Sequence, residues 1–327
     1  MSALKEERVL VVGGAGFIGS HLCGKLASLN SRLTILDNLS TGHNEHLAAI
    51  LQKYKGNVKF LKGDCTKPLD VRKAIRDVDV IIHLAANPEV RLELNDPKVC
   101  FRQNVYATYV LMEALRRARC VRSLVFASSS TVYGDASDFP TSESYGPLKP
   151  ISTYGASKLA SEALISSYTY TYGLNSTILR LANVIGPGSH HGVIPDFISK
   201  LRKNKRQLEI LGDGTQCKSY LYIDDCVDAI LRVSEESNSQ VEIFNVGSED
   251  WTTVSRIAEI VVEELGLEKV NFAFTGGLDG GRGWKGDVKK MLLDVSRLKA
   301  LGWKPMYKSE EAVRQTTKRV LAKSDWH

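Results

Sequence analysis

A short apolar run, Arg8 to Val12, passes straight into Gly13-Gly14-Ala15-Gly16-Phe17-Ile18-Gly19, and an amphipathic stretch from Ile18 to Leu29 follows. Glycines at this spacing let the chain turn tightly and bring backbone N–H groups close to a pyrophosphate at a helix N-terminus. The next β-branched run ends in Asp37, about 20 residues on, where a carboxylate meets the ribose hydroxyls of a dinucleotide. That charge repels a 2′-phosphate, and Asn38-Leu39-Ser40 offers no Arg to neutralise one, so the pattern favours NAD over NADP. Gly13, Gly16, Phe17, Ile18, Gly19, Asp37, Asn38 and Ser40 are the candidate cofactor contacts of this segment.

The same alternation continues. Strands are expected at Leu33–Leu36, Val58–Leu61, Val80–Leu84, Ser123–Ala127 and Thr177–Leu181, with helices near Glu45–Lys53, Leu69–Arg76, Pro97–Arg119 and Thr153–Tyr172. Near-continuous apolar strands alternating with helices predict an α/β fold: a doubly wound, Rossmann-type parallel sheet covered on both faces. Ligands bind beyond the carboxyl ends of such strands. Two further strand ends suit the same cofactor: Asp64 and Cys65 after the third strand, and Leu84-Ala85-Ala86 after the fourth. Past Asn183 the alternation lapses into glycine turns, which predicts a smaller mixed C-terminal lobe for the substrate. The expected division is residues 1–182 with returning segments at about 220–248 for the dinucleotide domain, and 183–219 with 249–327 for the substrate lobe. Tyr220–Ile223 and Ile243–Val246 read as strands returning to the first sheet.

Composition excludes several classes. The 327 residues are 43% hydrophobic and 24% charged, which rules out collagen-like, disordered and disulfide-scaffold chains. No apolar run reaches the roughly 18 residues of a membrane helix, and the charged start, Met1 to Arg8, is no secretory signal. Six cysteines without a C-x-x-C pair read as reduced thiols, and the expected location is the cytoplasm. The net charge of +6 gathers at Arg202-Lys203-Asn204-Lys205-Arg206 and at Arg116, Arg117, Arg119 and Arg122. Solvated helix faces explain these clusters, which lack interleaved aromatics for stacking on bases, so no nucleic-acid or membrane partner is expected. His190-His191 has no partner at metal-ligand spacing, and no metal is expected. His21 and His83 read as packing residues.

The fifth strand runs into Ser128-Ser129-Ser130-Thr131-Val132-Tyr133-Gly134, and Tyr154-Gly155-Ala156-Ser157-Lys158 opens the following helix. A four-residue spacing stacks Tyr154 and Lys158 on one helical face. An ammonium beside a phenol favours the phenolate, so Tyr154 is tuned to take or give a hydroxyl proton as hydride moves. Ser129 at the neighbouring strand end shares that hydrogen bond. The candidate catalytic residues are Tyr154, Lys158 and Ser129.

Taken together, Gly13 to Gly19, Asp37, Asp64, Leu84-Ala85-Ala86, Asn104, the serine cluster and Tyr154 with Lys158 resemble an extended short-chain dehydrogenase/reductase. More narrowly, the chain resembles the NAD-dependent sugar-nucleotide epimerase/dehydratase family, and within it the archaeal type of 4-epimerase that interconverts UDP-glucose and UDP-galactose. The narrower match lies in Ala86-Asn87-Pro88-Glu89-Val90-Arg91, Ser129 to Gly134 and Gly283-Trp284-Lys285-Gly286-Asp287-Val288. The resemblance implies an NAD-dependent isomerase with a UDP-sugar substrate. Tyr154 would remove the sugar 4-OH proton, Lys158 would hold the nicotinamide ribose, and Ser129 would bind the sugar oxygen. A 4-keto sugar would turn over in the pocket and regain hydride on its opposite face. The resemblance also puts Asn104 among the cofactor contacts and Asn183, Val193, Lys218, Arg282 and Asp287 among the substrate contacts. It further implies a homodimer built on the helices at Pro97–Arg119 and Thr153–Tyr172.

The chain departs from familiar bacterial members of that family at Pro88, where they carry lysine, and at Trp284, where they carry a phosphate-binding Arg for which Arg282 is the candidate substitute. Met291 stands where the family gates acetylated sugars. Dehydratases of the family resemble a Thr-Asp-Glu pattern at the site of Ser129-Ser130-Thr131, and UDP-glucuronate decarboxylases carry a Glu in this loop. Neither carboxylate is present here. A 4-epimerase of a uronic-acid sugar, met by Arg91 or Arg282, or of an N-acetyl sugar stays open. The reading from another class is a non-catalytic NAD-binding scaffold.

Overall fold

The computed structural model describes residues 4, 6–42, 44–87, 96–118, 120–235 and 241–323. Its contacts divide the chain into two compact units, Met1–Val132, Thr153–Arg180 and Val227–Phe244 in one, and Tyr133–Ser152, Leu181–Cys226 and Asn245–His327 in the other.

The first unit holds strands β1 (Arg8–Val12), β2 (Arg32–Asp37), β3 (Val58–Lys62), β4 (Val80–His83), β5 (Ser123–Ser129) and β6 (Ser176–Leu181). Between them run helices α1 (Phe17–Ser28), α2 (Asn44–Lys53), α3 (Pro68–Ala74), the short α4 (Lys98–Cys100), a π-helical turn at Phe101–Tyr106, α5 (Ala107–Leu115) and α6 (Thr153–Tyr172). With the strand Val241–Val246 at one edge, these form a seven-stranded parallel sheet in the order Val241–Val246, β6, β5, β4, β1, β2, β3. The order reverses at β1 and β4, so a crevice opens beyond their carboxyl ends. Every expected strand and helix of this half is present.

Burial on both faces explains the continuous apolar strands. Leu10, Val12, Ile81, Leu124, Phe126 and Ile178 pack against Val110, Leu111 and Leu115 of α5 and Ile165 of α6. On the opposite face Val9, Val11 and Ile35 are buried with Leu22 and Leu26 of α1.

The second unit contains β7 (Asn183–Ile185), α7 (Val193–Lys203), β8 (Gln207–Ile210), β9 (Cys217–Lys218) and β10 (Tyr220–Tyr222). The division then falls within α8 (Ile223–Glu235) and β11, the edge strand Val241–Val246. Next come β12 (Thr252–Thr253), α9 (Val254–Glu264), β13 (Asn271–Phe274), β14 (Lys290–Met291), α10 (Ser296–Ala300) and α11 (Ser309–Lys323). Its core joins Ile194, Phe197, Ile198 and Leu201 of α7 to Ile257, Ile260 and Val261 of α9 and Val313 of α11.

Two expectations are corrected. Tyr220–Tyr222 does not return to the large sheet; it pairs in parallel with β7, Tyr220 opposite Asn183. The reason is that β11 already occupies the sheet edge beside β6. Residues 133–152, expected in the first lobe, group with the second unit. They are held there by the Tyr133 hydroxyl donating to Asn245 Oδ1 at 2.7 Å, and by the pair Thr141 N to Leu292 O and Asp294 N to Thr141 O at 2.8 and 2.9 Å.

Candidate active site

Beyond β1, Gly13 adopts φ +86°, and a Cβ on it would lie 2.5 Å from the Ala85 nitrogen. A Cβ on Gly19 would lie 2.2 Å from the Gly13 carbonyl oxygen. Only hydrogen fits at either place, so the loop folds tightly under the first turn of α1. That helix is capped by Gly16, which has no side chain to occupy the first-turn N–H groups. Asp37 is fixed beside the loop: Ala15 N–H donates to its Oδ2 at 2.9 Å and Leu39 N–H to its Oδ1 at 2.8 Å. Each oxygen keeps a lone pair for a ribose hydroxyl. Asn38 and Ser40 are exposed and form one turn, Ser40 N–H donating to Asn38 Oδ1 at 2.9 Å.

At the end of β3, burial works against the Asp64 carboxylate. The Thr66 N–H and hydroxyl, both at 2.8 Å, overcome that and hold its pKa below the usual range. Cys65 is pushed up to about 12 by burial and stays a thiol. Leu84 and Ala85 follow β4, both N–H groups donating to the Val12 carbonyl at 2.8 and 2.9 Å, and Ala86 beside them is half-buried. Phe17 packs edge-on to His21, and Ile18 is half-buried on the first turn of α1. These residues fit a dinucleotide: a side-chain-free cradle, an uncapped helix start and a carboxylate pinned at the next strand end.

The second cluster joins α6 to β5. Lys158 is 3% exposed, and its Nζ donates to the Ala127 carbonyl at 2.7 Å, 5.9 Å from the Tyr154 ring centroid and 4.8 Å from that of Phe126. Burial draws its pKa down to about 8 against the pull of Glu162 and Cys100. Ser129, the last residue of β5, accepts from Thr131 N–H at 3.2 Å and from the Thr131 hydroxyl at 2.9 Å. Asn104 sits in the π-helical turn, accepts from Asn87 N–H at 2.9 Å, and donates to Ser157 Oγ at 2.9 Å. Ser157 in turn donates to the Tyr154 carbonyl at 2.7 Å. Asn104 therefore ties the exit of β4 to the first turn of α6. His83 is a packing residue: fully buried, 3.2 Å from the Thr108 hydroxyl and held neutral by burial, its pKa down to about 3.

Sequence reasoning missed a buried network beside this cluster. The Ser128 hydroxyl donates to Glu162 Oε1 at 2.5 Å, and Arg180 Nη2 donates to Oε2 at 2.7 Å. A Glu four positions past Lys158 and an Arg inside an apolar strand were its two signals.

In the second unit, Lys218, Arg282 and Asp287 come together. Lys218 Nζ lies 2.5 Å from Asp287 Oδ1 and 5.6 Å from the Trp284 ring centroid. Gly283 N–H donates to Asp287 Oδ2 at 3.2 Å. Arg282, the expected phosphate ligand, forks onto Asp135 at 3.0 and 2.9 Å and also donates to the Asp287 carbonyl. Asn183 opens β7 and Val193 opens α7, both half-buried. Met291 is buried on β14 opposite Lys218. Pro88, Glu89, Val90, Arg91 and Arg119 lie outside the described residues. Among the described residues no metal-ligating cluster is found, and no helix is long and apolar enough to cross a membrane.

The model of the NAD dependent epimerase/dehydratase family matches residues 9–247. A solved UDP-galactose 4-epimerase is 41% identical, with a TM-score of 0.83, covering 96% of this chain and 99% of that one. The UDP-N-acetylglucosamine 4-epimerase of Methanobrevibacter ruminantium M1, solved with UDP-N-acetylmuramic acid, is 32% identical with a TM-score of 0.86, covering 98% and 100%. The UDP-glucose 4-epimerase of Mycolicibacterium smegmatis is 32% identical over 97% of this chain and 99% of its own length. Other relatives bear the names dTDP-D-glucose 4,6-dehydratase and UDP-glucuronic acid 4-epimerase, and several neighbours were solved with NAD. With the family model matched over residues 9–247 and relatives more than 30% identical over nearly the whole chain, the chain belongs to the NAD dependent epimerase/dehydratase family, sugar-nucleotide enzymes with NAD as coenzyme.

Proposed function

We propose that the chain is a UDP-sugar 4-epimerase, interconverting UDP-glucose and UDP-galactose. The observation that carries this reading is the end of β5. Ser129-Ser130-Thr131 brings hydroxyls, whereas expulsion of water by a dehydratase calls for an acid and a base there. When bound along the glycine loop and Asp37, NAD supplies reversible hydride transfer.

The chain's own residues do the rest. Tyr154 takes the proton of the sugar 4-hydroxyl and returns it after the sugar has turned. Lys158, fixed on the Ala127 carbonyl, keeps a positive charge beside that phenol and lowers the energy of the phenolate. Ser129 has both Thr131 donors on its oxygen, so its own O–H is left to donate to the sugar oxygen. Asp37 selects the ribose hydroxyls and rejects a 2′-phosphate. Lys218, Arg282 and Asp287, with Asn183 and Val193, serve the nucleotide end of the substrate: cations for the diphosphate, a carboxylate for the uridine ribose. An N-acetyl sugar is the second reading, favoured by the likeness to the UDP-N-acetylglucosamine 4-epimerase.

Purified protein with no NAD added is expected to interconvert UDP-galactose and UDP-glucose. The check is product chromatography across a panel that adds UDP-N-acetylglucosamine, UDP-glucuronate and dTDP-glucose. A 4-keto-6-deoxy product from any of them, with no 4-epimer, would sink the epimerase assignment.

The reading includes a homodimer. Phe101 (64% exposed), Tyr170 (67%), Tyr172, Tyr109 and Tyr106 lie open on the π-helical turn, α5 and α6, more aromatic surface than a lone helix pair leaves in water. Light scattering at micromolar concentration is expected to give a dimer mass; a monomer mass there removes the dimer from the proposal.

A further inference from the structure

Along α6, Tyr154, Lys158 and Glu162 follow one another at four-residue spacing and share one helical face. Lys158 and Glu162 grip consecutive residues of β5: Lys158 Nζ holds the Ala127 carbonyl at 2.7 Å, and Glu162 Oε1 accepts the Ser128 hydroxyl at 2.5 Å. The residue after Ser128 is Ser129. Behind Glu162 stands Arg180 of β6, its Nε 3.1 Å from Oε1 and its Nη2 2.7 Å from Oε2. Glu162 and Arg180 are 4% and 3% exposed. Desolvation works against an ion pair so far from water, and apolar residues of similar volume are often no less stable in its place. Stability alone therefore does not account for charge at this position.

We propose that Glu162, backed by Arg180, is a positioning residue for the acid–base pair: its carboxylate locks the end of β5 under Ser129 and supplies the negative charge that balances the Lys158 ammonium. The proposal rests on the reading of Tyr154 and Lys158 as that pair. The groups around Lys158 support it. Burial disfavours the Lys158 charge, and the Glu162 carboxylate opposes burial more strongly than Cys100 of α4 does. His83 of β4 is neutral and adds no balancing charge. Tyr154 lies on the same helix, and Arg180 acts in the opposite sense from behind Glu162. Among these groups Glu162 is the one carboxylate.

The two partners therefore make opposite predictions. Removing a nearby negative charge lets protons leave more readily, and removing a positive one holds them. In the NAD-loaded protein, the readout is the midpoint pH of the near-ultraviolet phenolate signal that Tyr154→Phe abolishes. Glu162→Gln keeps the volume and the hydrogen-bonding shape, and is expected to lower that midpoint by about one pH unit. Arg180→Met is expected to raise it by less, because Arg180 stands behind Glu162, farther from Lys158. The acid-side rise in kcat, where the phenolate base forms, moves with the midpoint while KM holds.

Each single variant leaves a buried charge unpaired, so both are expected to lose thermal stability. The double variant Glu162→Gln/Arg180→Met removes both charges, and is expected to fold and to shift the midpoint downward by less than Glu162→Gln alone, because Glu162 is the partner on the Lys158 face. Midpoints that stay put, or that move the same way in both singles, overturn the proposal; so does an unshifted double if the singles fail to fold. The phenolate signal needs no turnover. A parent that epimerises no UDP-sugar thus defeats the reaction assignment while this titration stays readable.

Discussion

Tyr154→Phe is expected to lower kcat on UDP-galactose about 10²–10⁴-fold, the usual reach of general acid–base catalysis, while KM and retained NAD stay close to the parent's. That range corresponds to roughly 3–5 kcal/mol of lost transition-state stabilisation. The substitution deletes the phenolic oxygen and little else. The first turn of α6 is held through the Tyr154 carbonyl, which accepts from Ser157 and through it from Asn104, and Phe keeps that carbonyl. Lys158 is held by the Ala127 carbonyl, independently of the phenol. The NAD loop belongs to β1 and α1 and is untouched. Initial rates on UDP-galactose, with NAD counted in the denatured protein, separate the cases. A variant as fast as the parent would remove Tyr154 as the base, and a variant stripped of NAD would mean that the tyrosine holds the coenzyme instead.

The parts of this site that were legible in the sequence are those whose physics is local. A phosphate loop needs glycines for steric reasons within seven residues, and a strand buried on both faces writes itself as an apolar run. A Tyr and a Lys four apart on a helix share a face wherever the helix packs. The illegible parts are set by pairing at long range. Arg282 reads as a cation for phosphate, but the Asp135 that orients it lies 147 positions away and no local spacing announces it. Residues 133–152 join the second unit through a hydroxyl that reaches an amide 112 positions on. The three residues of β10 carry too short a pattern to choose between the large sheet and β7, and the occupied edge beside β6 decides it. Glu162 and Arg180 are each unremarkable alone, and only their burial together marks them.

Gly13→Ala is expected to strip the protein of NAD and to lower Tm on the order of 3–7 °C, because two penalties fall on one residue. At φ +86° any side chain is strained by roughly 1–2 kcal/mol. The added Cβ also meets the Ala85 nitrogen at 2.5 Å and the Ala85 Cα at 2.7 Å, and overpacking of that kind costs about 1–3 kcal/mol. The obstacle is backbone, itself hydrogen-bonded to Val12 of the central strand, so no side chain can rotate away. Relief requires the loop to lift from β4, and lifting moves the N–H groups that would meet the pyrophosphate. Gly56→Ala isolates the first penalty: its φ is +103°, and nothing lies within 4 Å of the added Cβ. That variant should lose only the conformational part and keep its NAD. Thermal unfolding of both, with and without added NAD, reads the difference. Equal losses in the two would mean that the cradle tolerates a methyl group and that the close contact with Ala85 does not set the shape of the coenzyme loop.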